Sequence, residues 1–189
     1  FFKQKTAYEI LTCDWSSDVC SSDLRFTKCS ERLRENRIAA EGLSFVAVED
    51  GRLVGTVRLW HVTAGPGRQA LLLGPLAVAP EAQGRGIGAA LMTHALKAAR
   101  RSGAAAVILV GDAPYYGRFG FSAEKTAALW MPGPYEQSRL LAVEFTAGAL
   151  DGAHGLVGAS GKPEPKPSLA QLISGLKPAR RRARLPQAA

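Results

Sequence analysis

A glycine-rich stretch near the middle of the chain carries the clearest chemical signal. Residues 76–89 read L-A-V-A-P-E-A-Q-G-R-G-I-G-A, which predicts a strand, a short loop and the start of a helix. The free N–H groups of a first helical turn and the helix dipole attract anions. Gly86 and Gly88 lack the Cβ atoms that would keep a phosphate group away from the backbone. The stretch therefore predicts an anion-binding site at the junction of strand and helix.

The spacing of these residues resembles a known signature. Gln83-x-x-Gly86-x-Gly88 is similar to the Q/R-x-x-G-x-G/A coenzyme A signature of GNAT acetyltransferases, and residues 76–78 stand where that family has its pantetheine-binding strand. The resemblance runs from about residue 43 to about residue 150 and implies that acetyl-coenzyme A is the co-substrate. The donor-binding residues that it implies are Leu76, Ala77, Val78, Gln83, Gly84, Arg85, Gly86, Ile87, Gly88 and Ala89.

A dinucleotide site is the alternative interpretation of the same loop. Gly84-x-Gly86-x-x-Ala89 satisfies the fingerprint G-x-G-x-x-G/A. That fingerprint places its first glycine almost at the end of the strand, whereas residues 79–83 intervene here. The strands predicted upstream are also of the antiparallel type. We therefore favour coenzyme A over a dinucleotide.

A second segment strengthens the resemblance. Residues 116–121, Y-G-R-F-G-F, look like the family's Y-x-x-x-G-F segment, whose tyrosine often protonates the departing thiolate. The resemblance thus implies that Tyr116 is the general acid. The alternative is that Tyr116 is only a packed aromatic residue beside Tyr115, Phe119 and Phe121.

Four other polar side chains have open roles. Many family members carry an asparagine several residues before the tyrosine, whereas Asp112 occupies the turn here; it could bind the amine, accept a proton or cap a short helix, and we favour capping. No general base is assigned, with His61, Asp112 and a water chain as candidates. Arg85 and Arg118 are candidates for phosphate contacts, although a lone arginine is more often a solvated surface residue.

Direct transfer to the amine is the mechanism that the residues favour. Cys13, Cys20 and Cys29 lie outside the region of resemblance, and no Ser-His-Asp set is apparent for a covalent acyl-enzyme. The early position of the cysteines also makes a disulfide framework improbable. We expect no metal.

The elements that must position these residues can be read from periodicity. Residues 43–48 and 53–60 predict a hairpin around Asp50-Gly51. Residues 70–78 predict a strand that bulges at Gly74-Pro75, because proline cannot donate to a ladder.

Residues 87–102 then predict a helix whose apolar stripe is Ile87, Leu91, Ala95 and Ala98. An apolar run at 104–110 predicts a buried strand, parallel to 70–78 because one helix connects the two. Residues 126–131 and 139–145 are further strand candidates. The predicted fold class is α/β, a GNAT-like mixed and mostly antiparallel sheet flanked by helices, lacking the family's first strand and first helix.

Three segments divide the chain. Residues 1–24 resemble translated sequencing-adapter DNA and are predicted to be an artefact or a disordered leader. Residues 25–150 form the predicted acetyltransferase domain, which would then be truncated at its N-terminus. Residues 151–189 are predicted to be a flexible basic tail rich in Pro, Gly and Ala.

Composition leaves several classes of function open. The net charge is +8, and seven basic and two acidic residues follow Leu150, so most of the basicity belongs to the tail. Residues 180–184, R-R-R-A-R, could contact nucleic-acid phosphates, but without interleaved aromatic residues a solubilising role is favoured over specific nucleic-acid binding.

We find neither a secretory signal nor an apolar run long enough to cross a membrane, and expect a cytoplasmic protein. The predicted partners are a small-molecule or peptide amine and a second copy of the chain. An inactive truncated fragment and a non-catalytic coenzyme A-binding module remain alternatives to the enzyme.

Overall fold

The computed structural model describes residues 2–4 and 29–165, which form a mixed sheet with few helices. The strands are β1 (Phe2–Gln4), β2 (Ser44–Glu49), β3 (Arg52–Ala64), β4 (Gln69–Val78), β5 (Ala106–Val110), β6 (Leu129–Trp130), β7 (Leu140–Glu144) and β8 (Gly155–Ala159). The helices are α1 (Cys29–Arg32), α2 (Ile87–Arg101) and α3 (Ala113–Gly117), with short 3-10 turns at Pro80–Ala82, Glu124–Thr126 and Gln137–Arg139.

The sheet has the predicted class. Its strand order is β1-β2-β3-β4-β5-β7, and every neighbouring pair along this path is antiparallel except β4 and β5. The parallel pair confirms the prediction made from the helix that connects the two strands. The mixed, mostly antiparallel sheet flanked by helices is therefore confirmed.

The β2–β3 hairpin follows from two residues. Asp50 has φ 48° and Gly51 has φ 76°, the pair of positive angles that a two-residue hairpin turn requires. Glu49 and Arg52 are paired directly on either side of the turn. The predicted hairpin is confirmed, and its turn holds the carboxylate of Glu49 near the glycine-rich loop.

Strand β4 is irregular at the predicted place. Its register with β3 shifts between Val57 and Leu59, opposite Gly74 and Pro75. Beyond the irregularity, residues 76–78 still pair with β3, but the register with β5 covers only Leu71 and Leu72. Within the described residues, β4 and β5 thus separate after Leu72, and the second half of β4 has one edge without a partner strand.

Helix α2 covers one face of the sheet. Leu91, Met92, Ala95 and Ala99 are its buried residues. The predicted stripe is confirmed: Leu91 and Ala95 are fully buried, and Ile87 and Ala98 are partly buried against the same apolar cluster. Side chains alternate between two apolar clusters along the strands, as Leu59 and Trp60 do, so the core lies on both faces of the sheet.

The prediction of a flexible tail from residue 151 was wrong for residues 155–159. These residues form β8, which pairs with β3 at residues 62–64, and Val157 is fully buried. The reason is geometric: β2 pairs with β3 only as far as Arg58, so the rest of that edge of β3 is open to another strand. Backbone pairing and a few small apolar side chains order this segment. Residues 166–189 lie outside the described residues.

The front of the chain contributes one short strand. Residues 2–4 pair with β2 in antiparallel orientation at the edge of the sheet. The prediction concerning residues 1–24 otherwise falls on residues 1 and 5–24, which lie outside the described part of the structure.

Candidate active site

The start of α2 is shaped by glycines in left-handed conformations. Gly84 has φ 73°, and Gly86, the N-cap of α2, has φ 82°. A Cβ atom at either position would meet nothing within 4 Å, so backbone conformation rather than crowding favours glycine there. The first helical turn follows directly, and its leading N–H groups have no carbonyl partner within the helix. The backbone therefore has the left-handed loop and open first helical turn on which the prediction of an anion site depends.

Gly88 differs from Gly84 and Gly86 because a side chain there would lie close to its neighbours. A Cβ atom there would lie 3.3 Å from the Tyr115 hydroxyl and 3.5 Å from Val78 Cγ2. The hydroxyl of Tyr115 thus reaches the first turn of α2. This contact brings the start of α3 beside the start of α2, which the sequence did not indicate.

The second half of β4 forms the floor between these helices. Leu76, Ala77 and Val78 pair with Val57, Thr56 and Gly55 of β3, and each is partly buried. Their other edge has no strand partner among the described residues. Such an edge presents backbone N–H and C=O groups to any ligand that can pair like a strand.

Two polar side chains of the loop have partners within the protein. Gln83 donates from Nε2 to the Val78 carbonyl at 3.4 Å. Arg85 donates to both carboxylate oxygens of Glu49, at 2.8 and 2.5 Å, and its hydrogen bonds hold the pKa of Glu49 below its usual range. The guanidinium of Arg85 is thus neutralised by a carboxylate on the hairpin. Ile87 and Ala89, the remaining predicted contacts, lie partly buried in the first turn.

Tyr116 is packed on several sides. Its ring lies against Gly111, where a Cβ atom would be 2.2 Å from Cε2, so Gly111 makes the space for the ring. The ring meets Tyr115 edge-on at 4.9 Å between centroids and Phe121 at 6.1 Å. Burial raises the pKa of Tyr116 above its usual value, and the neighbouring Tyr115 adds to this effect. A phenol that stays protonated can donate a proton, so packing and the proposed acid role are compatible.

Asp112 caps α3, as favoured from the sequence. Its Oδ2 accepts a hydrogen bond from the Tyr115 backbone N–H at 3.3 Å. His61 lies elsewhere: it pairs with Leu71, five residues before Leu76 on β4, which is about 16 Å along the strand. His61 is also exposed and lies inside β3, which continues to Ala64. The structure therefore does not bring His61 to the separated part of the sheet.

Two residues of this region were missed by sequence reasoning. The Tyr115 hydroxyl lies 3.3 Å from where a Cβ atom of residue 88 would be, and Glu49 is hydrogen-bonded to Arg85, yet neither Tyr115 nor Glu49 belongs to the motif that identified the loop. For Glu49, the sequence showed only that a carboxylate stands beside the predicted hairpin turn. No signal along the chain pairs Tyr115 with a residue 27 positions away.

The described residues contain no group of three or more His, Cys, Asp or Glu side chains that could hold a metal ion. None of the described helices is long and apolar enough to cross a membrane.

Comparison with known proteins gives matches over much of the chain. The model of the acetyltransferase (GNAT) family matches residues 5–121. The uncharacterized N-acetyltransferase YhbS of Escherichia coli is 33% identical over 127 residues, which are 66% of this chain and 75% of YhbS. The uncharacterized N-acetyltransferase YjhQ of the same organism is 37% identical over 92 residues, 47% of this chain; the match spans about half of YjhQ, 51% of its length.

Solved structures agree with these matches. The crystal structure of YhbS from Escherichia coli in complex with CoA has a TM-score of 0.69 and 27% identity, covering 84% of this chain and 88% of that one. A GNAT family acetyltransferase from Brucella melitensis in complex with acetyl-CoA supports the fold, with a TM-score of 0.52, 24% identity and coverage of 77% and 87%. Because the family model matches more than half of this chain, the chain belongs to the GNAT acetyltransferase family.

Proposed function

We propose that this chain transfers an acetyl group from acetyl-coenzyme A directly to a primary amine. The observation that carries the proposal is the meeting of three elements: the glycine-built start of α2, the unpartnered edge of β4 and the aromatic start of α3, whose Tyr115 hydroxyl lies 3.3 Å from where a Cβ atom of residue 88 would be. The crystal structure of YhbS in complex with CoA supports a donor of this class.

The donor would be held chiefly by backbone groups. The N–H groups of residues 84–89 are suited to its pyrophosphate, because they lie in a left-handed loop and a first helical turn. The free edge of residues 76–78 is suited to the amides of the pantetheine arm, which can pair as a strand does. Gln83 contributes by holding the loop to the Val78 carbonyl.

The transfer step exchanges a thioester bond for an amide bond. The neutral amine nitrogen attacks the thioester carbonyl carbon, and a backbone N–H on the free edge of β4 stabilises the negative charge on the oxygen. The C–S bond breaks, the amide forms, and the thiolate takes the proton of the Tyr116 hydroxyl. The proton lost by the amine passes to water or to Asp112, which is exposed and already serves as the helix cap, and a proton from solvent returns to the Tyr116 oxygen before the next turnover.

Binding and turnover test the proposal separately. Isothermal calorimetry with acetyl-coenzyme A measures donor binding, and a panel of small-molecule and peptide amines with detection of released thiol measures transfer. We expect binding and at least one acceptor. Donor binding without thiol release for any amine would favour a non-catalytic module or an inactive fragment, and absence of donor binding would contradict the proposal.

A second copy of the chain and nucleic acid are the other partners considered, and each can be tested directly. Light scattering on the purified chain reports whether two copies associate. Salt-dependent retention on nucleic acid reports whether residues 180–184 bind phosphates there, which the proposal does not require.

A further inference from the structure

The two arginines beside the proposed donor site differ in what surrounds their charge. Arg85 is held by both oxygens of Glu49. Arg118, the C-cap residue of α3, is exposed and forms no ion pair within the described residues. Of the two, Arg118 is the one without a carboxylate partner in the described part of the chain.

Arg118 is nevertheless held in place. Its Cζ atom lies 4.0 Å from the centroid of the Tyr115 ring and 5.1 Å from that of Phe119. A cation–π contact of this kind restrains the side chain. The described residues hold no ion-pair partner for its N–H donors, whose fork geometry suits phosphate oxygens.

The aromatic platform also fixes where this charge lies. Tyr115 carries Arg118 on its ring and reaches Gly88 with its hydroxyl. The guanidinium is therefore attached to the same side chain that touches the first turn of α2, where the backbone is shaped for an anion. A phosphate at that turn would lie within the span of one tyrosine from a restrained, unneutralised positive charge.

We propose that Arg118, stacked on Tyr115, binds a phosphate group of the acyl donor and supplies the side-chain charge that Arg85 does not. This proposal rests on the proposed function, since it assigns a residue to the same donor site. Tyr115 is its positioning residue. The two phosphate sources in coenzyme A are the pyrophosphate, at the α2 turn, and the 3′-phosphate of the ribose.

The test is calorimetry of coenzyme A with matched arginine variants. We expect Arg118→Gln to weaken binding by about tenfold, the usual size of a charge-assisted contact, and Arg85→Gln to weaken it less. Arg101→Gln is the control, because it removes the same charge from an exposed position at the far end of α2, about 20 Å from Gly88. Tyr115→Leu, which removes the platform, should reproduce part of the Arg118→Gln loss, and thermal unfolding of each variant checks that it folds.

The probe 3′-dephospho-coenzyme A separates the sources. If Arg118→Gln has its full effect on coenzyme A and none on this probe, the 3′-phosphate is the group bound; an equal effect on both identifies the pyrophosphate. A folded Arg118→Gln protein that binds both as tightly as the wild type overturns the proposal while leaving the proposed function intact. Failure of the wild type to bind coenzyme A contradicts the proposed function itself.

Discussion

The starts of α2 and α3 form two sides of one proposed site, yet they are built from different parts of the chain. At α2 the chemistry belongs to the backbone, since Gly84 and Gly86 shape the loop and the side chain of Arg85 is bound to Glu49. At α3 the chemistry belongs to side chains, since Tyr115 and Tyr116 project toward their neighbours from a helix of only five residues. The difference predicts that donor binding and proton transfer can be altered separately by mutation.

Separable roles also respond to mutation differently. A binding surface made of backbone groups loses affinity when a new side chain changes the backbone conformation. A surface made of side chains loses only the interaction of the atoms that are removed. The variants below test that difference.

The largest effect is expected from Tyr116→Phe, which removes the hydroxyl and keeps the packed ring. We expect kcat to fall by about a hundredfold, within the usual range for a general acid, with the dissociation constant for acetyl-coenzyme A nearly unchanged. Because the pKa of Tyr116 is raised by burial, its ionisation should not reduce wild-type kcat until the pH exceeds the ordinary tyrosine value of about 10. Steady-state kinetics and calorimetry on both proteins measure these quantities; unchanged kcat would assign the proton to another donor.

Gly86→Val tests the backbone-built start of α2. Valine at φ 82° is strained by about 1–2 kcal/mol, and we expect donor affinity to fall at least about tenfold, or 1.4 kcal/mol. Gly103→Val is the matched control, because Gly103 has φ 84°, also with nothing within 4 Å of a Cβ atom, at the other end of α2. Both variants should lose stability in thermal unfolding, but only Gly86→Val should lose affinity. Equal affinity losses would show that strain, not the site, is responsible.

Gly88→Ala and Tyr115→Phe test whether the starts of α2 and α3 are energetically coupled. Alanine is favoured over glycine in a helix by up to about 1 kcal/mol, but its Cβ would press on the Tyr115 hydroxyl at 3.3 Å. We expect Gly88→Ala to stabilise the protein more in the Tyr115→Phe background than alone, with a coupling of about 0.5 kcal/mol or more. Denaturant unfolding of the four proteins in this cycle measures it, and additive changes would mean that the contact carries no energy.

The smallest effect is expected from Glu49→Gln, which releases Arg85 on an exposed surface. The unfolding midpoint should not change measurably at physiological salt, because both groups are solvated. Donor affinity should rise by about twofold at low salt, since Arg85 regains an unneutralised charge. Glu81→Gln removes an exposed carboxylate from the adjoining turn and serves as the control. Equal gains for the two variants would attribute the effect to net charge alone.

Much of the fold could be read from the chain because its signals are local. The Asp50-Gly51 turn, the Gly74-Pro75 irregularity and the apolar period of α2 each depend on residues close in sequence. The prediction for residues 155–159 failed because their ordering depends on an open edge of β3, nearly a hundred positions earlier.

The sequence by itself determined the glycine-built loop and the strand that leads into it. Both are properties of neighbouring residues: φ angles that glycine tolerates, and a proline that cannot donate a hydrogen bond. Only the tertiary structure decided that Arg85 pairs with Glu49, that Tyr115 reaches Gly88, and that Arg118 stacks on Tyr115. The first two of these contacts join separate segments through packing of the hairpin and of α3 around α2. Arg118 and Tyr115 are near neighbours, but their place at the α2 turn follows from the same packing. Spacing along the chain does not encode such distances.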